Sequence, residues 1–393
     1  SVRGRTIFTF QKGLDVIRRP VAEMHRVYDL ETAKRQATRC LRCDTETGSA
    51  GYSRRTREHI HAMAKTGLNE IDKQQRILSA RLRPRDNPFP PGRSAHLDDV
   101  VFMSAALTRL VIDPYREACS MGTKIGESLE LELPFFFTGF DGAPPEVRQA
   151  LFRSLKAGGC AYIGFQPPGE GVRWLQLLVD GDSEPHPEAG GLVYVMGNKF
   201  RAVKPERLYK GQLIGLAAAA PALAEAIPYA LDNSFDFMLL NGTGDIADPW
   251  VELRQAPDLT VIRDAIKILR SLNMEEELSL LYYGGLRTGT DVAKVLAMNC
   301  NAGVFSAAMG IALGGVIEND RLQFSGKLSI EDLSAAGENW IKAASQEAAI
   351  IGRCTGKTNV HNLEPEDMRA ITLSTSKDLG ILLASGRGAR EYF

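Results

Sequence analysis

The sequence predicts an α/β fold: a (β/α)8 TIM barrel with an N-terminal helical arm and C-terminal helices. Three observations predict it. From residue 135 onward, short apolar runs alternate with longer stretches of helical periodicity, the pattern of repeated βα units. Eight such runs fall at 135–140, 160–165, 174–180, 191–196, 212–217, 235–240, 278–283 and 302–306, several of them almost uninterruptedly apolar, as parallel strands buried on both faces are. The last two runs each open into glycine or other small residues, where such barrels build ligand sites.

Taken in order, residues 1–96 form a polar, Arg-rich arm with helices expected over 31–42 and 54–81. Residues 83–92 carry Pro84, Pro88, Pro90 and Pro91, which forbid helix and mark a linker. The barrel is expected over 97–372, with helices at 145–157, 221–231, 259–272 and 290–298 between its strands. The connection between 174 and 191 shows no helical pattern, so the third unit is irregular. Packing eight units between Phe135 and Ser306 is tight for an architecture that typically takes about 250 residues, and a doubly wound sheet is the competing arrangement. Helices at 331–354 and 364–373 pack outside the barrel, and 373–393 is a tail.

Composition narrows the function classes. Lys+Arg is 47 and Asp+Glu is 48, a net charge of −1, which lacks the basic excess of a general nucleic-acid binder. No apolar run approaches the roughly 18 residues of a spanning helix, and the basic start Ser1-Val2-Arg3-Gly4-Arg5 is not followed by a secretion core. Six scattered cysteines do not make a disulfide framework in 393 residues, so a cytoplasmic protein is expected.

The strongest local signal is Leu278-Ser-Leu-Leu-Tyr-Tyr-Gly284-Gly285-Leu-Arg287-Thr288-Gly289-Thr290-Asp291. A strand runs into two glycines, a polar turn and then an amphipathic helix. Glycines allow positive φ and close approach of backbone to ligand, and the N–H groups that follow can point at a phosphate. Arg287 can add a charge-assisted contact, and Asp291 suits a helix N-terminus. The next strand ends in Ser306-Ala307-Ala308, and two such strand ends in succession match the phosphate site of many barrels. The plainer alternative is that the glycines make a tight turn and the alanines pack.

The segment 281–315 resembles the FMN-binding domain of the glutamate synthase large subunit, with its G-G-[IL]-R-[TS]-G-x-D-[VI] loop followed by a small-residue turn. The resemblance extends back through Asn241-Gly242-Thr243-Gly244, Gly169-Glu170-Gly171, Leu133-Pro-Phe-Phe-Phe-Thr-Gly139 and Asp98-Asp-Val-Val-Phe102, and forward to 356–367. It implies a barrel holding FMN, with Gly139, Asp141 and Gly142 joining Gly284, Gly285, Arg287, Thr288, Gly289, Ser306, Ala307 and Ala308 around the cofactor. It also implies reductive amination: reduced flavin delivers a hydride to the imine of a 2-oxo acid, such as 2-oxoglutarate, with ammonia or an amine.

The departures are as informative. Segment 314–326 has none of the cysteines that hold the family's three-iron cluster, and thiolates are the usual cluster ligands. No glutaminase domain is expected before the barrel; Ser1 as an N-terminal nucleophile is the remote alternative to simple removal of an initiator Met. The strand 212–217 lacks the family's basic residue facing the flavin, for which Lys199 or Lys204 on the preceding loop can substitute. Glu170 and Lys199 are the candidate catalytic groups. Cys40 and Cys43 resemble the start of an iron–sulfur segment in the glutamate synthase small subunit. They read as a remnant, as half of a cluster or zinc site completed by Cys119 or a partner chain, or as a redox dithiol. Cys119, Cys160, Cys300 and Cys354 read as small buried hydrophobes. Three functions follow: an FMN oxidoreductase of glutamate-synthase type; a diverged, non-catalytic flavin-binding or scaffold subunit; or, more remotely, another FMN barrel acting as a dehydrogenase. The second would serve a complex with an NAD(P)H-dependent flavoprotein/iron–sulfur partner.

Overall fold

The computed structural model describes residues 52, 54–67, 69–82, 94–105, 117–169, 171–179, 184–326 and 328–384. Eight parallel strands close into a barrel. They are β1 (Phe135–Phe137), β2 (Ala161–Gly164), β3 (Arg173–Leu178), β4 (Gly191–Val195), β5 (Leu213–Ala218), β6 (Phe237–Asn241), β7 (Ser279–Tyr283) and β8 (Ala302–Phe305). Every expected strand is present, and β8 pairs β1 through Gly303↔Phe135, Val304↔Phe136 and Phe305↔Phe137 to complete the ring. The doubly wound alternative is thereby excluded.

The near-continuous apolar runs arise because these strands have two buried faces. Phe136, Ile163, Leu175, Leu177, Val193, Phe237, Leu239, Leu281 and Val304 fill the interior. Size is complemented across strands: a Cβ on Gly215 would lie 2.1 Å from Phe237 Cζ, so the phenyl ring takes the space that the glycine leaves. An antiparallel hairpin of two short strands, Thr123–Ile125 and Leu129–Leu131, closes the N-terminal end of the barrel by adding Ile125, Leu129 and Leu131 to this interior. The sequence reading did not find this hairpin, whose strands are only three residues long.

Outside the barrel lie α1 (Arg54–Lys65), α2 (Ile71–Leu82), α3 (Pro145–Ala157), α4 (Leu223–Asp232), α5 (Thr260–Leu272), α6 (Gly289–Ala297), α7 (Ala307–Ala312), α8 (Ile330–Cys354) and α9 (Leu373–Leu379). The single helix expected over 54–81 is divided at 66–70, where Gly67 falls. In α8, Trp340 is fully buried and meets Phe305 edge-on with ring centroids 4.8 Å apart, fixing the helix against the β8–β1 wall. The connection from β3 to β4 carries no helix among its described residues, as expected. The helix expected over 364–373 is corrected. Pro365–Asp367 is one 3-10 turn, and Met368–Ala370 then pairs antiparallel with Val100–Phe102, so the short apolar run follows a sheet edge rather than a helical stripe. The expected helix at 31–42 and the linker at 83–92 lie outside the described residues, as do Cys40 and Cys43.

Candidate functional site

The turn from β7 into α6 is built as expected, but its residues are largely engaged by the protein itself. Gly285 sits at φ +64°, and a Cβ there would lie 2.6 Å from Pro257 Cγ. A Cβ on Gly284 would lie 2.3 Å from the Tyr282 hydroxyl. Gly289 is the most constrained: its Cβ would lie 1.8 Å from the Ala344 carbonyl oxygen, so α6 and α8 touch backbone to backbone at this point. Arg287 is 1% exposed and turns into the protein. Its Nε and Nη2 donate to Asp291 at 2.8 and 3.0 Å, and its Nη1 and Nη2 donate to Asp98 at 3.1 and 2.9 Å. At least four of its five N–H donors thus serve two carboxylates, which hold the guanidinium protonated. Beside it, Lys294 Nζ donates to the Leu97 carbonyl at 2.6 Å, and Thr290 donates to the buried Glu347. The cavity left along Ala95, Leu97, Pro257, Gly284, Gly285 and Arg287 is about 10 Å³, room for no more than one water.

The β8 turn is more surprising. The Ala307 N–H, one of the groups expected to face a phosphate, donates to Glu252 Oε1 at 2.8 Å. Glu252 Oε2 accepts from the Tyr283 hydroxyl at 2.8 Å, and the Ser306 hydroxyl stands beside both. Glu252 is 1% exposed, and burial pushes its carboxyl above the usual range despite the Ala307 and Tyr283 bonds that favour the anion. It is carried on the loop 242–258 after β6. The ends of that loop are pinched together by the Asp258 N–H donating to the Gly242 carbonyl at 2.7 Å. Between them, Ile246 and Val251 drop into the barrel interior. Trp250, at φ +56°, meets Phe140 and Phe324 at 6.1 and 5.9 Å. A left-handed aromatic residue is strained backbone.

Under this loop, four neighbouring strands end in inward-facing polar residues. Thr138 and Ser306 continue the alternation of β1 and β8, in which Phe136 and Val304 face the interior; Asn241 pairs in register with Tyr283 and shares its face. Thr138 Oγ1 and Asn241 Nδ2 are buried with no hydrogen-bond partner, and the same holds for Thr288 Oγ1. Trp250 Nε1 likewise lacks one and stands 3.4 Å from where a Cβ on Gly139 would be. Buried polar atoms are rarely left unpaired, and such a group is a mark of a site. Gly139, at φ +90°, is the only residue type that fits, since its Cβ would also press on Ser306 Oγ at 2.9 Å.

The remaining predicted residues are placed as follows. Asp141 accepts from the Phe165 and Gln166 N–H groups, each at 3.0 Å, and from the Tyr162 hydroxyl at 3.1 Å, so it ties the ends of β1 and β2 together. Gly142 has open space around it. Lys199 and Lys204 are exposed on the β4–β5 loop. Lys204 lines a cavity of about 480 Å³ at the C-terminal ends of β3 and β4, with Leu178, Tyr194 and Glu206, on the opposite side of the mouth from β7 and β8. Glu170 lies outside the described residues. Of the four cysteines read as small buried hydrophobes, Cys160 and Cys300 are buried, but Cys119 is half-buried and Cys354 is exposed, at the last turn of α8. Among the described residues no group of three or more His, Cys, Asp or Glu side chains is placed to hold a metal. Residues 314–326, which contain no cysteine, include a hairpin of Val316–Glu318 with Arg321–Gln323.

The sequence profile described as "Conserved region in glutamate synthase" matches residues 219–319, which run from the end of β5 through the whole β6–β8 mouth. A "Glutamate synthase large subunit-like protein" of Rhizobium meliloti (strain 1021) is 24% identical, over 74% of this chain and 87% of that protein. The chain is similar to glutamate synthase over this region. Among solved structures, the chain resembles the recombinant flavin-binding domain of baker's yeast flavocytochrome b2, with a TM-score of 0.50 and 13% identity over 82% of this chain and 90% of that one. A flavocytochrome b2 double mutant with pyruvate bound gives a TM-score of 0.50 and 14% identity over 80% and 90%. Likeness at that identity speaks for the barrel fold. Among the described residues no helix is long and apolar enough to cross a membrane.

Glu252 and Trp250 escaped the sequence reading. One acid between Val251 and Leu253 looks like an ordinary solvated loop charge, and Asp245 and Asp248 near Pro249 look like turn chemistry. The only available signal was the neighbouring Asn241-Gly242-Thr243-Gly244, whose resemblance marked the strand end but not the loop that folds over it.

Proposed function

We propose that this chain is an FMN-binding oxidoreductase of glutamate-synthase type, holding the flavin across the C-terminal mouth at β6, β7, β8 and β1. The observation that carries the reading is the polar arc of Thr138, Asn241, Tyr283 and Ser306, in which Thr138 Oγ1, Asn241 Nδ2 and Ser306 Oγ are buried without partners and all but Thr138 lie inside the segment that matches the glutamate synthase region. The donor set suits a flavin with its phosphate toward Gly285, Ser306 and Ala307, once loop 242–258 is withdrawn. Arg287 supports that site indirectly, by holding the turn through Asp98 and Asp291. Bound and reduced, FMN would supply a hydride to the imine of a 2-oxo acid such as 2-oxoglutarate with ammonia or an amine. Lys204 lines the cavity at the ends of β3 and β4 together with Arg201, with Lys199 on the same loop, and these cations would orient an anionic substrate.

The closed mouth favours a second reading. With Ile246, Val251 and Glu252 seated in it, the barrel can also serve as a scaffold subunit beside an NAD(P)H-dependent flavoprotein carrying iron–sulfur clusters. Purified full chain tests both. Flavin bands in its visible spectrum, or their acquisition on adding FMN, support the first reading, and a protein that refuses FMN rejects it. Glutamate formed from 2-oxoglutarate, ammonia and an artificial reductant confirms the amination; bound, reducible flavin without product leaves the scaffold.

A further inference from the structure

Glu252 presents a carboxylate to the same N–H group that a phosphate at the β8 turn would use. It is a carboxyl group supplied from within the chain, on a loop whose two ends lie together. Loop 242–258 has its two ends joined by the Asp258–Gly242 hydrogen bond, so its body can swing without disturbing β6 or α5. Gly244, at φ +84°, lies next to that joint. The left-handed Trp250 is strained in the closed position, so opening would release strain as well as expose Ile246 and Val251. Beneath the loop, Thr138 Oγ1 and Asn241 Nδ2 are buried without partners, and each would gain one from a polar ligand.

We propose that Glu252 stands in for the ligand's phosphate and holds loop 242–258 shut as a lid, so that an anionic ligand enters only by displacing this carboxylate. The proposal rests on the flavin reading of the mouth and adds its regulation. Apparent affinity for the ligand is then reduced by the small fraction of molecules whose lid is open. A second negative charge beside Glu252 in a water-poor site is strongly repelled, so phosphate and carboxylate exclude one another. Discrimination follows. A ligand with a phosphate competes with Glu252, whereas the same ring system without a phosphate does not.

The test compares the full chain with its Glu252→Gln variant, which keeps size and a hydrogen-bond acceptor but removes the charge. FMN and riboflavin are titrated by flavin fluorescence, and hydrogen exchange is followed at the amides of 243–256. Glu252→Gln is expected to tighten FMN by about tenfold or more while changing riboflavin by less than about threefold, and FMN is expected to accelerate exchange across 243–256 in both proteins. Equal FMN affinity in the two proteins overturns the lid and leaves the flavin reading standing. If neither binds FMN, the flavin reading fails, and the lid is judged with inorganic phosphate: faster exchange over 243–256 in the variant than in the native chain supports it, and no difference overturns it. Glu252→Ala, measured by exchange in the absence of ligand, guards against a glutamine that re-forms the latch. An unlatched loop exchanges faster than native, and an unchanged one overturns the proposal.

Discussion

Arg287 offers the sharpest test of how the mouth is held together. Substitution to Met keeps most of the side-chain volume and removes the guanidinium. Asp291 is fully buried and would retain the 3.0 Å bond from the Arg287 backbone N–H while losing two charged donors; Asp98, whose side chain is 15% exposed, would lose two more. Breaking a buried ion pair from one side typically costs about 3–5 kcal/mol, because the surviving charge stays desolvated. Most of that falls on Asp291, since Asp98 can relax toward water. A loss of about 3–5 kcal/mol is a large part of the roughly 5–15 kcal/mol that stabilises an ordinary domain. Urea unfolding of native and Arg287→Met protein, monitored by circular dichroism, should show it directly as a lower midpoint. Arg287→Lys should lie in between, as a point charge cannot serve both carboxylates with the fork geometry. A stability loss below about 1 kcal/mol together with a tenfold drop in FMN affinity would refute the clamp and return Arg287 to direct phosphate binding.

Other consequences are as open to measurement. Gly289→Ala should destabilise by about 3 kcal/mol or more, since overpacking against backbone has no soft atom to move, while Gly142→Ala, with open space around it, should change thermal stability by less than about 0.5 kcal/mol. Burial raises the Glu252 carboxyl above its ordinary 4.5, so its favourable contribution is full below that value and is lost as pH rises through the raised one. Glu252→Gln should therefore gain stability relative to the native chain as pH climbs from about 4.5 toward neutrality, and parallel stability–pH curves would contradict this. Among the described cysteines, peptide mapping after thiol alkylation should find Cys354 modified first and Cys160 and Cys300 protected until unfolding, because burial raises both of those thiols well above the ordinary cysteine range.

The barrel was legible because its signals are local and repeated. Phe135-Phe136-Phe137 or Leu280-Leu281-Tyr282-Tyr283 can only be strands buried on both faces, and each is followed by its own turn and helix. The hairpin at 123–131 was not legible, since Thr123, Ile125, Leu129 and Leu131 acquire meaning only when the ring above them closes. The helix expected over 364–373 failed for the same reason: Met368 and Ala370 pair with Val100 and Phe102, partners far away in sequence. In the site, the positions of the glycines were readable and their reasons were not. Nothing near Gly289 in the sequence indicates that Ala344 would press against it.

That gap bears on what a motif can prove. Four residues of the Gly284–Gly289 turn have a packing reason in this structure: Gly284 clears the Tyr282 hydroxyl, Gly285 clears Pro257, Arg287 joins Asp98 to Asp291, and Gly289 admits Ala344. A turn constrained this strongly would be retained whether or not the chain still held a phosphate, so its survival speaks for the fold first. Atoms that packing leaves unexplained are the better witnesses to a ligand. Thr138 Oγ1 and Asn241 Nδ2 are buried at a substantial energetic penalty and return nothing to stability in the closed state. Thr138→Val should consequently leave stability unchanged or raise it while weakening FMN binding; Asn241→Leu should weaken FMN binding too, but at a loss of stability, because it also removes the Oδ1 that accepts from the Thr243 N–H and hydroxyl. If both substitutions leave flavin affinity untouched, those atoms do not face the cofactor, and the scaffold reading becomes the stronger one.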